Sequence, residues 1–369
     1  MDNIRLKLTA ISPIHIGSGE VYEPTNFIID NKILYKFKDE DFFMALPDIT
    51  KKFFMEIVSE ENRSDSFVRI HKLIKDNKEI AKSVAYLKVK VTDGLQEKYD
   101  KRVGKISNIE RKNKKVFNKF EIQRIQRKQI KAKNGYVYIG YIVGSSLKGA
   151  ISTAYQEYIY KKEGEKALKS KFQAIGRDIH KNIFKEFKVP DSMVTKIGTN
   201  IGFALNKERF DYDFNNHENN LKLSTYIEVI NPNSEFIVDI NYGSLNIKEI
   251  LESCNSHYLP IFKSILSNET NGKEEFINEY LEDSFYDTYR HFKLKDNQYL
   301  IRVGKHSGAR AVTIDGLREI KSKISGGGRS RKPNKWETLE EETTSWLFGE
   351  NPNKNSGLLP FGWLLCEVI

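Results

Sequence analysis

Residues 141–150 read Tyr141-Ile142-Val143-Gly144-Ser145-Ser146-Leu147-Lys148-Gly149-Ala150. A strand-like run at residues 136–141 leads into this stretch, and apolar residues spaced by three and four follow it, which is the pattern of an amphipathic helix. The sequence therefore predicts a strand, a glycine turn at Gly144 and a helix that Ser145 caps. The unpaired N–H groups at such a helix start favour an anion, and Lys148 adds a positive charge.

The stretch is not a nucleotide-hydrolysis motif, although Gly144 and Gly149 have the four-residue spacing of a Walker loop. In a Walker loop Lys and then Ser or Thr follow the second glycine, whereas here Ala150 and Ile151 follow it. Two interpretations stay open, a phosphate site and a purely structural glycine turn with a serine cap. Both concern the same residues: Gly144, Ser145, Ser146, Lys148 and Gly149.

Strand and helix patterns are mixed along the rest of the chain. Residues 4–10 alternate between apolar and polar side chains, as a half-buried strand does. Residues 39–90 are predicted to be mostly helical. This mixture suits an α+β sandwich of the βαββαβ kind, and two diverged copies of one small fold are compatible with it.

The second half of the chain gives further expectations. Residues 200–222 are rich in Asn and Asp and are predicted to form a loop, whereas residues 337–348 are predicted to be helical. Strands at residues 225–229 and 235–242 are predicted to join through a hairpin-type turn at Asn231-Pro232-Asn233.

Positive charge is concentrated in one segment. The chain has 60 Lys and Arg against 50 Asp and Glu, a formal charge of +10. Between Lys101 and Lys133 there are 13 basic residues and two acidic ones, so that this segment alone carries +11 (13 minus 2). A local positive field of this size attracts a polyanion such as nucleic acid. The alternative is a solvated basic loop on the surface.

Two further glycine motifs follow predicted strands. Residues 12–19 contain two glycines that permit close approach of backbone or phosphate, and His15, which is either a general base for RNA cleavage or a hydrogen-bonded structural residue. Residues 302–310 place three basic side chains, His306 and two glycines on one strand-to-loop connection. Such a connection suits a sugar-phosphate backbone, and the alternative is an ordinary basic turn.

Several classes of protein lack support in the sequence. None of the seven histidines precedes an aspartate, so the His-Asp metal nuclease signature is missing, and no Gly-Gly-Asp-Asp cyclase motif occurs. Cys254 and Cys366 are the two cysteines, and no paired Cys or His spacing indicates zinc, so neither a metal nor another cofactor is expected. The sequence contains no apolar run of about 18 residues, which a membrane span would require. The reducing cytoplasm is the expected location.

Six segments, in this order, resemble the RAMP superfamily of CRISPR proteins, and within it the branch of large Csm subunits at the 3′ end of the guide RNA. The segments that carry the resemblance are residues 13–19, 141–150, 187–192, 226–230 with Phe236, 302–308 and 359–363. They extend over nearly the whole chain. Two positions depart from the family pattern, because Val143 stands where proline is usual and Ser152 where arginine is usual.

The resemblance implies an α+β fold with two RRM-like (ferredoxin-like) domains that carry helical and basic loop insertions. Residues 1–160, with an insertion at about 40–133, are expected to form the first domain, and residues 161–369 the second. It also implies a non-catalytic subunit that caps a type III-A effector complex and contacts the guide RNA and the adjacent repeated backbone subunit. Such a subunit supports guide maturation by recruiting cellular nucleases.

On this interpretation the RNA-binding residues are His15, Gly17, Gly19, Lys112, Lys114, Lys115, Lys119, Gly144, Ser145, Ser146, Lys148, Gly149, Arg302, Gly304, Lys305, Gly308 and Arg310. Two alternatives stay open. One is a metal-independent RAMP endoribonuclease that processes repeat RNA with His15 or His306 as acid or base. The other is a structural adaptor whose basic surface meets an acidic protein neighbour.

Overall fold

The structure, a computed structural model, describes residues 2–59, 63–109, 115–117, 120–133, 135–172, 182–209, 224–267, 269–270, 273–274, 276–325, 335–339 and 341–369. The strands are β1 (Asn3–Ala10), β2 (Gly17–Tyr22), β3 (Phe27–Asp30), β4 (Ile33–Lys36), β5 (Leu87–Val91), β6 (Ile106–Ile109), β7 (Lys115–Phe117), β8 (Ile122–Ile125), β9 (Arg127–Ala132), β10 (Gly135–Gly140), β11 (Met193–Lys196), β12 (Thr199–Glu208), β13 (Ser224–Ile230), β14 (Glu235–Asn241), β15 (Glu269–Thr270), β16 (Lys273–Glu274), β17 (Gln298–Arg302), β18 (Ile320–Ser325), β19 (Lys335–Leu339), β20 (Thr344–Gly349), β21 (Leu359–Pro360) and β22 (Trp363–Val368). The helices are α1 (Asp39–Ala45), α2 (Asp48–Val58), α3 (Arg63–Asp76), α4 (Lys78–Ser83), α5 (Asp93–Arg102), α6 (Gly144–Phe172), α7 (Ile247–Ile265), α8 (Ile277–Tyr280), α9 (Asp283–Tyr289) and α10 (Ala309–Val312).

An antiparallel sheet, which we call the first sheet, has the strand order β11-β14-β1-β22-β17. Its central strand is β1, in which Leu6 lies opposite Val238 of β14 and Val368 of β22. Successive side chains of a strand point to opposite faces, and Leu6, Leu8 and Ala10 share the buried one. These side chains belong to one hydrophobic core with apolar residues of α6 and α7.

The larger sheet has the order β2-β8-β13-β12-β5-β4-β3, and β20 and β21 extend it from β12. Along one edge β12 pairs with β13, and along the other it pairs with β5 at residues 200–201 and with β20 at residues 203–208. Both sheets therefore contain strands from either side of residue 160. The architecture confirms a mixed α+β fold, and the predicted domain boundary at residue 160 stays a prediction.

The predicted helical region is confirmed by α1–α4, which enclose a small second core around Phe42, Ile57 and Leu73. It ends earlier than residue 90, because β5 begins at Leu87. In β5 the apolar residues are buried and the two lysines between them are exposed, which is the alternation of a half-buried strand.

Two predictions for the second half of the chain are wrong. Thr199–Glu208 is the strand β12 instead of a loop, with Ile201 and Phe203 buried in the core, and residues 210–222 of the predicted loop lie outside the described residues. Within residues 337–348, residues 337–339 end β19 and residues 344–348 belong to β20, so the predicted helix is absent from both. Pairing of β20 with β12 gives these residues a strand environment that overrides their local preference.

The predicted hairpin at Asn231-Pro232-Asn233 is also wrong, because β13 and β14 lie in different sheets. Ile230, the last residue of β13, exchanges two backbone hydrogen bonds with Ile14, at 3.0 and 2.8 Å. The amide of Asn233 donates to the carbonyl oxygen of Ala10 at 2.7 Å. These backbone groups of the turn are therefore paired with residues 10–14, and not with a facing strand. The turn carries the chain from the larger sheet to the first.

Candidate nucleic-acid interface

Three of the connections that carry the chain between the two sheets lie side by side. They are residues 11–16 after β1, 231–234 after β13 and 361–362 before β22. The amide of Gly362 donates to the carbonyl oxygen of Pro13 at 2.8 Å, and the amide of Lys305 donates to that of His15 at 2.8 Å. The structure thus brings two predicted glycine motifs, residues 12–19 and 302–310, into direct contact at this place, which we call the sheet junction.

Two glycines at the sheet junction are required by the neighbouring backbone. A Cβ at Gly304 would collide with the carbonyl oxygen of His15, and a Cβ at Gly362 would collide with that of Val303. Both glycines have a positive φ, 84° and 92°, which other residues rarely adopt. Gly19 differs from them, because its φ is 82° but the space around its Cβ position is open.

His15 is buried at the sheet junction. Its Nδ1 lies 2.6 Å from the carbonyl oxygen of Glu228, and since a carbonyl only accepts, Nδ1 is the donor. Burial lowers the pKa of His15 to about 4, so the ring is uncharged at neutral pH. Gly17 leaves room for this ring, because a Cβ there would lie 2.9 Å from Nε2. These contacts support the structural interpretation of His15.

The motif at residues 302–310 also turns a basic side chain inward. Arg302 is buried, its Nε donates to the carbonyl oxygen of Phe361 at 2.9 Å, and its guanidinium lies 4.9 Å from the ring centroid of Trp363. Burial lowers the pKa of Arg302 to about 10 and that of His306 to about 3. These are packing contacts, and RNA contact by Arg302 stays a prediction.

The remaining residues of this motif divide between interior and surface. A Cβ at Gly308 would lie 2.7 Å from the carboxylate of Glu342, which accepts a hydrogen bond from the amide of Arg310. The side chain of Arg310 donates to the hydroxyl of Ser264 at 3.0 Å. Lys305 is exposed, and its Nζ donates to Oε1 of Gln123 in β8 at 2.7 Å.

The third glycine motif lies at the start of α6. The carboxylate of Asp191 accepts a hydrogen bond from the amide of Gly144 at 2.8 Å, so Asp191 provides the cap and the prediction that Ser145 does so is wrong. The hydroxyl of Ser192 accepts from the amide of Ile142 at 3.0 Å. A Cβ at Gly144 would collide with the backbone of residues 189–190. Gly144 is therefore required for packing of this segment on the helix start.

Lys148 is also engaged within the protein. Its Nζ donates to the carbonyl oxygen of Phe184 at 2.8 Å, and burial lowers its pKa. Ser145 and Gly149 are exposed on the first turns of α6, and Ser146 is half-buried. A phosphate at this helix start would compete with a carboxylate and a carbonyl that are already present. RNA contact at this motif stays a prediction.

The hairpin β9–β10 is formed by the last residues of the basic segment, and it contacts both the sheet junction and the start of α6. At its base the guanidinium of Arg127 donates to the carboxylate of Glu228, whose side chain is fully buried. The Nζ of Lys128 donates to the carbonyl oxygen of Ser192 at 2.8 Å. The hairpin is therefore anchored to the sheet junction on one side and to the start of α6 on the other.

The far end of this hairpin is exposed, and it is both basic and apolar. Lys131 lies opposite Tyr136, which is 61% exposed, and Ile130 lies opposite Val137, which is 45% exposed. Lys131 and Lys133 are exposed as well. Cations beside aromatic side chains suit single-stranded nucleic acid, which offers both phosphates and base faces.

The rest of the basic segment is only partly described. Lys112, Lys114 and Lys119 lie outside the described residues, and Lys115 begins β7. The segment is not a surface loop throughout, because Phe120, Ile122 and Ile125 are buried in the main core.

Two anchors of the site, Glu228 and Asp191, are absent from the residues predicted from sequence. Glu228 stands between the apolar residues Ile227 and Val229 in β13, and all three residues are buried. An acidic residue inside an apolar strand signals a buried charge with a partner, because an unpaired one is very costly. Asp191 lies in one of the family segments, residues 187–192, but its local sequence does not identify its partner, which is more than 40 residues away.

Two properties of the described part of the chain bear on other kinds of site. Within it, no group of three or more His, Cys, Asp or Glu side chains is arranged to hold a metal ion. None of the helices described is both long and apolar enough to cross a membrane.

The sequence pattern of the RAMP superfamily matches residues 7–310, which is more than half of the chain. The chain belongs to the RAMP superfamily. This RAMP protein is 26% identical over 411 residues to the CRISPR system Cms protein Csm5 of Methanocaldococcus jannaschii, covering 99% of this chain and 89% of that relative. It is 24% identical over 323 residues to the protein of the same name from Streptococcus thermophilus, covering 84% of this chain and 79% of that relative.

Two solved structures share the fold of this RAMP protein. One is a chain of a Csm-crRNA-target RNA ternary complex from a type III-A CRISPR-Cas system, with a TM-score of 0.58, 17% identity and coverage of 99% of this chain and 100% of that one. The other is Csm5 from T. onnurineus, with a TM-score of 0.51, 15% identity and coverage of 97% and 99%. The predicted resemblance to the RAMP superfamily and its Csm branch is confirmed.

Proposed function

We propose that this RAMP protein is a non-catalytic RNA-binding subunit that caps a type III-A Csm ribonucleoprotein. It contacts the 3′ region of the guide RNA and the adjacent repeated backbone subunit, and it supports guide maturation and antiviral defence in the cytoplasm with recruited nucleases. Similarity to Csm5 proteins along most of the chain supports this role, as does the fold shared with a chain of a Csm-crRNA-target RNA complex. Within this proposal, the α+β fold consists of two RRM-like domains.

The observation that carries the proposal is the anchoring of an exposed basic hairpin between the glycine motifs. Lys131 and Lys133 lie at its exposed end, while Arg127 and Lys128 hold its base. Lys305 adds an exposed cation on the adjoining loop of the sheet junction. Anchored cations lose less conformational freedom on binding than cations on a mobile loop. Contacts of this kind hold phosphates and position the strand without reading its bases.

A binding role is favoured over RNA cleavage by the state of two histidines. Burial lowers the pKa of His15 to about 4 and that of His306 to about 3. Both rings are uncharged at pH 7, so neither is an imidazolium that could act as a general acid, and an efficient acid or base has a pKa near the working pH. Contacts within the protein account for two of the glycines near His15, because Gly17 faces its ring and Gly304 its carbonyl oxygen.

The proposal is tested by reversing the charge of Lys131, Lys133 and Lys305 together to Glu. Affinity for a guide RNA is measured at several salt concentrations, beside a control in which the exposed Lys248, Lys263 and Lys354 are reversed. Loss of three phosphate contacts should make the slope of log K against log salt shallower by about 2, at about 0.7 per phosphate for a single strand. An unchanged slope, or an equal change in the control, would contradict the proposal. Cleavage of the RNA by the purified wild-type protein in EDTA would overturn its non-catalytic part.

A further inference from the structure

A cleft lies between the loop after β17, the ends of the hairpin β18–β19 and the strand β20. Its volume is about 320 Å³, and small-ligand sites have volumes of about 300–1,000 Å³. Its wall includes Arg302, His306, Lys321, Glu342, Thr344 and Trp346. Neither residue that anchors the basic hairpin, Glu228 or Ser192, contributes to this wall.

Positive charge dominates this wall. Arg302 is buried, and its Nε donates to a neutral acceptor, the carbonyl oxygen of Phe361, at 2.9 Å. Lys321 is exposed and adds a second cation. The carboxylate of Glu342 also faces Arg209, whose guanidinium lies 3.8 Å away. The negative charge of Glu342 is therefore shared between Arg209 and Arg302 and does not offset Arg302 fully. A buried guanidinium held by a carbonyl favours an additional anion in the cleft.

The same wall has an aromatic side. The ring of Trp346, which is half-buried, lies 4.5 Å from that of His306 between centroids, with the two planes 33° apart. Aromatic side chains of this kind are platforms on which nucleobases stack. The aromatic side and the cationic side meet in one cleft, which is what a nucleotide requires.

His306 has two further properties that lack a structural explanation. Its φ is 65°, an uncommon value for a residue other than glycine, and such strain is concentrated at functional positions. Its Nε2 is buried and has no hydrogen-bond partner among the described residues. A buried ring nitrogen without a partner is unfavourable, so a ligand group that pairs with it would gain affinity.

We propose that this cleft binds one nucleoside monophosphate unit, with the base at Trp346 and the phosphate at Arg302 and Lys321. Arg and Lys form charge-assisted hydrogen bonds to phosphate, and the hydroxyls of Thr344 and Ser345 can pair with the edge of a base. The unit is either a free mononucleotide or an unpaired nucleotide of an RNA strand. The second source rests on the proposed function, whereas the first does not.

Binding of free nucleotides to the full chain is measured by calorimetry with AMP, UMP, ribose 5-phosphate and inorganic phosphate. The nucleotides should bind at least about tenfold more tightly than ribose 5-phosphate, because stacking requires a base. Lys321→Glu and Trp346→Leu should each weaken nucleotide binding about tenfold. Lys248→Glu, a charge reversal at another exposed lysine, should leave it unchanged.

Binding of a strand nucleotide is tested in parallel with guide RNA that carries 4-thiouridine at single positions. Photocrosslinks to residues 344–346 that Lys321→Glu removes indicate a nucleotide of the strand, whereas AMP binding without such crosslinks indicates a free nucleotide. Absence of both, or AMP binding that Lys321→Glu leaves unchanged, overturns the inference. In that case, guide RNA binding that is lost on reversing Lys131, Lys133 and Lys305 still supports the proposed function, so the two failures are distinguishable.

Discussion

The carboxylate of Glu228 and the guanidinium of Arg127 form an ion pair inside the protein, with 0% and 7% of the two side chains exposed. Glu228 also accepts hydrogen bonds from the hydroxyl of Tyr22 and the amide of Ile125, each at 3.1 Å. Burying a charge costs several kcal/mol unless a partner and hydrogen bonds offset it, and both are present here. The pair ties the base of the basic hairpin to the larger sheet.

Removal of one member of this pair should destabilise the protein much more than removal of both. Glu228→Leu leaves the charge of Arg127 buried without its partner and is expected to lower the free energy of unfolding by about 3–5 kcal/mol. The double variant Glu228→Leu with Arg127→Met contains neither charge and should recover most of that loss. Urea denaturation of the three proteins checks this order. A loss below about 1 kcal/mol in the single variant would show that the pair is not an anchor.

Alanine substitutions at two glycines separate backbone strain from collision. Gly19 and Gly304 have almost the same φ, 82° and 84°. Alanine at either position must adopt a left-handed backbone, which destabilises the protein by about 1–2 kcal/mol. At Gly304 the new methyl group also meets the carbonyl oxygen of His15, which adds about 1–3 kcal/mol. Gly304→Ala should therefore have the lower midpoint in urea. Equal midpoints would mean that the backbone at the sheet junction shifts to make room for the methyl group without a loss of stability.

The cap of α6 is tested by another matched pair. Asp191→Ala removes the carboxylate that accepts from the amide of Gly144 and should destabilise the protein by about 1 kcal/mol. Ser145→Ala removes only an exposed hydroxyl and should have little effect. Thermal unfolding of both variants at pH 7 measures the difference. A larger destabilisation by Ser145→Ala than by Asp191→Ala would show that Ser145 is the cap.

Stability is expected to fall as the pH falls below about 6.5. Burial lowers the pKa of His71 to about 4, whereas an imidazole in the unfolded chain titrates near 6.5. Between these values the unfolded chain binds more protons than the folded one, so stability is lost as the pH falls through this window. His15 acts in the same direction, because burial lowers its pKa to about 4 as well.

His71→Leu should remove its share of this effect, about 2 kcal/mol between pH 7.5 and pH 5. Urea denaturation at the two pH values, for the wild-type protein and for this variant, gives the difference. The exposed His291 provides the control substitution, His291→Leu. An acid-induced loss that is the same in all three proteins would assign the effect to other groups.

Some features of this protein could be recognised from the sequence because they depend on neighbours along the chain. The strand, glycine and helix order at residues 136–159 is local, as is the alternation in β1, and the structure has both. The family resemblance rests on such local motifs. The turn at residues 231–233 was also recognisable, but not the sheets that it connects, because these depend on pairing with β1 and β12.

The roles of the glycines could not be read in the same way. Close approach requires glycine whether the approaching group is a phosphate or a carbonyl oxygen, so Gly304 carries the same signature for either partner. Its actual neighbour, the backbone of His15, is almost 300 residues away in sequence. The same holds for Gly144, where residues 189–190 fill the space that the motif leaves open. RNA contact at these glycines stays a prediction.

The central position of β1 also has a consequence for biosynthesis. Both neighbours of this strand, β14 and β22, are made long after it, at residues 235–241 and 363–368. Until they leave the ribosome, β1 has two unsatisfied edges, and such edges are templates for aggregation. Closure of the first sheet therefore waits for residues 363–368, and contacts that are so distant in sequence form slowly. Until β22 pairs with β1, one edge of this strand stays open to pairing with another chain.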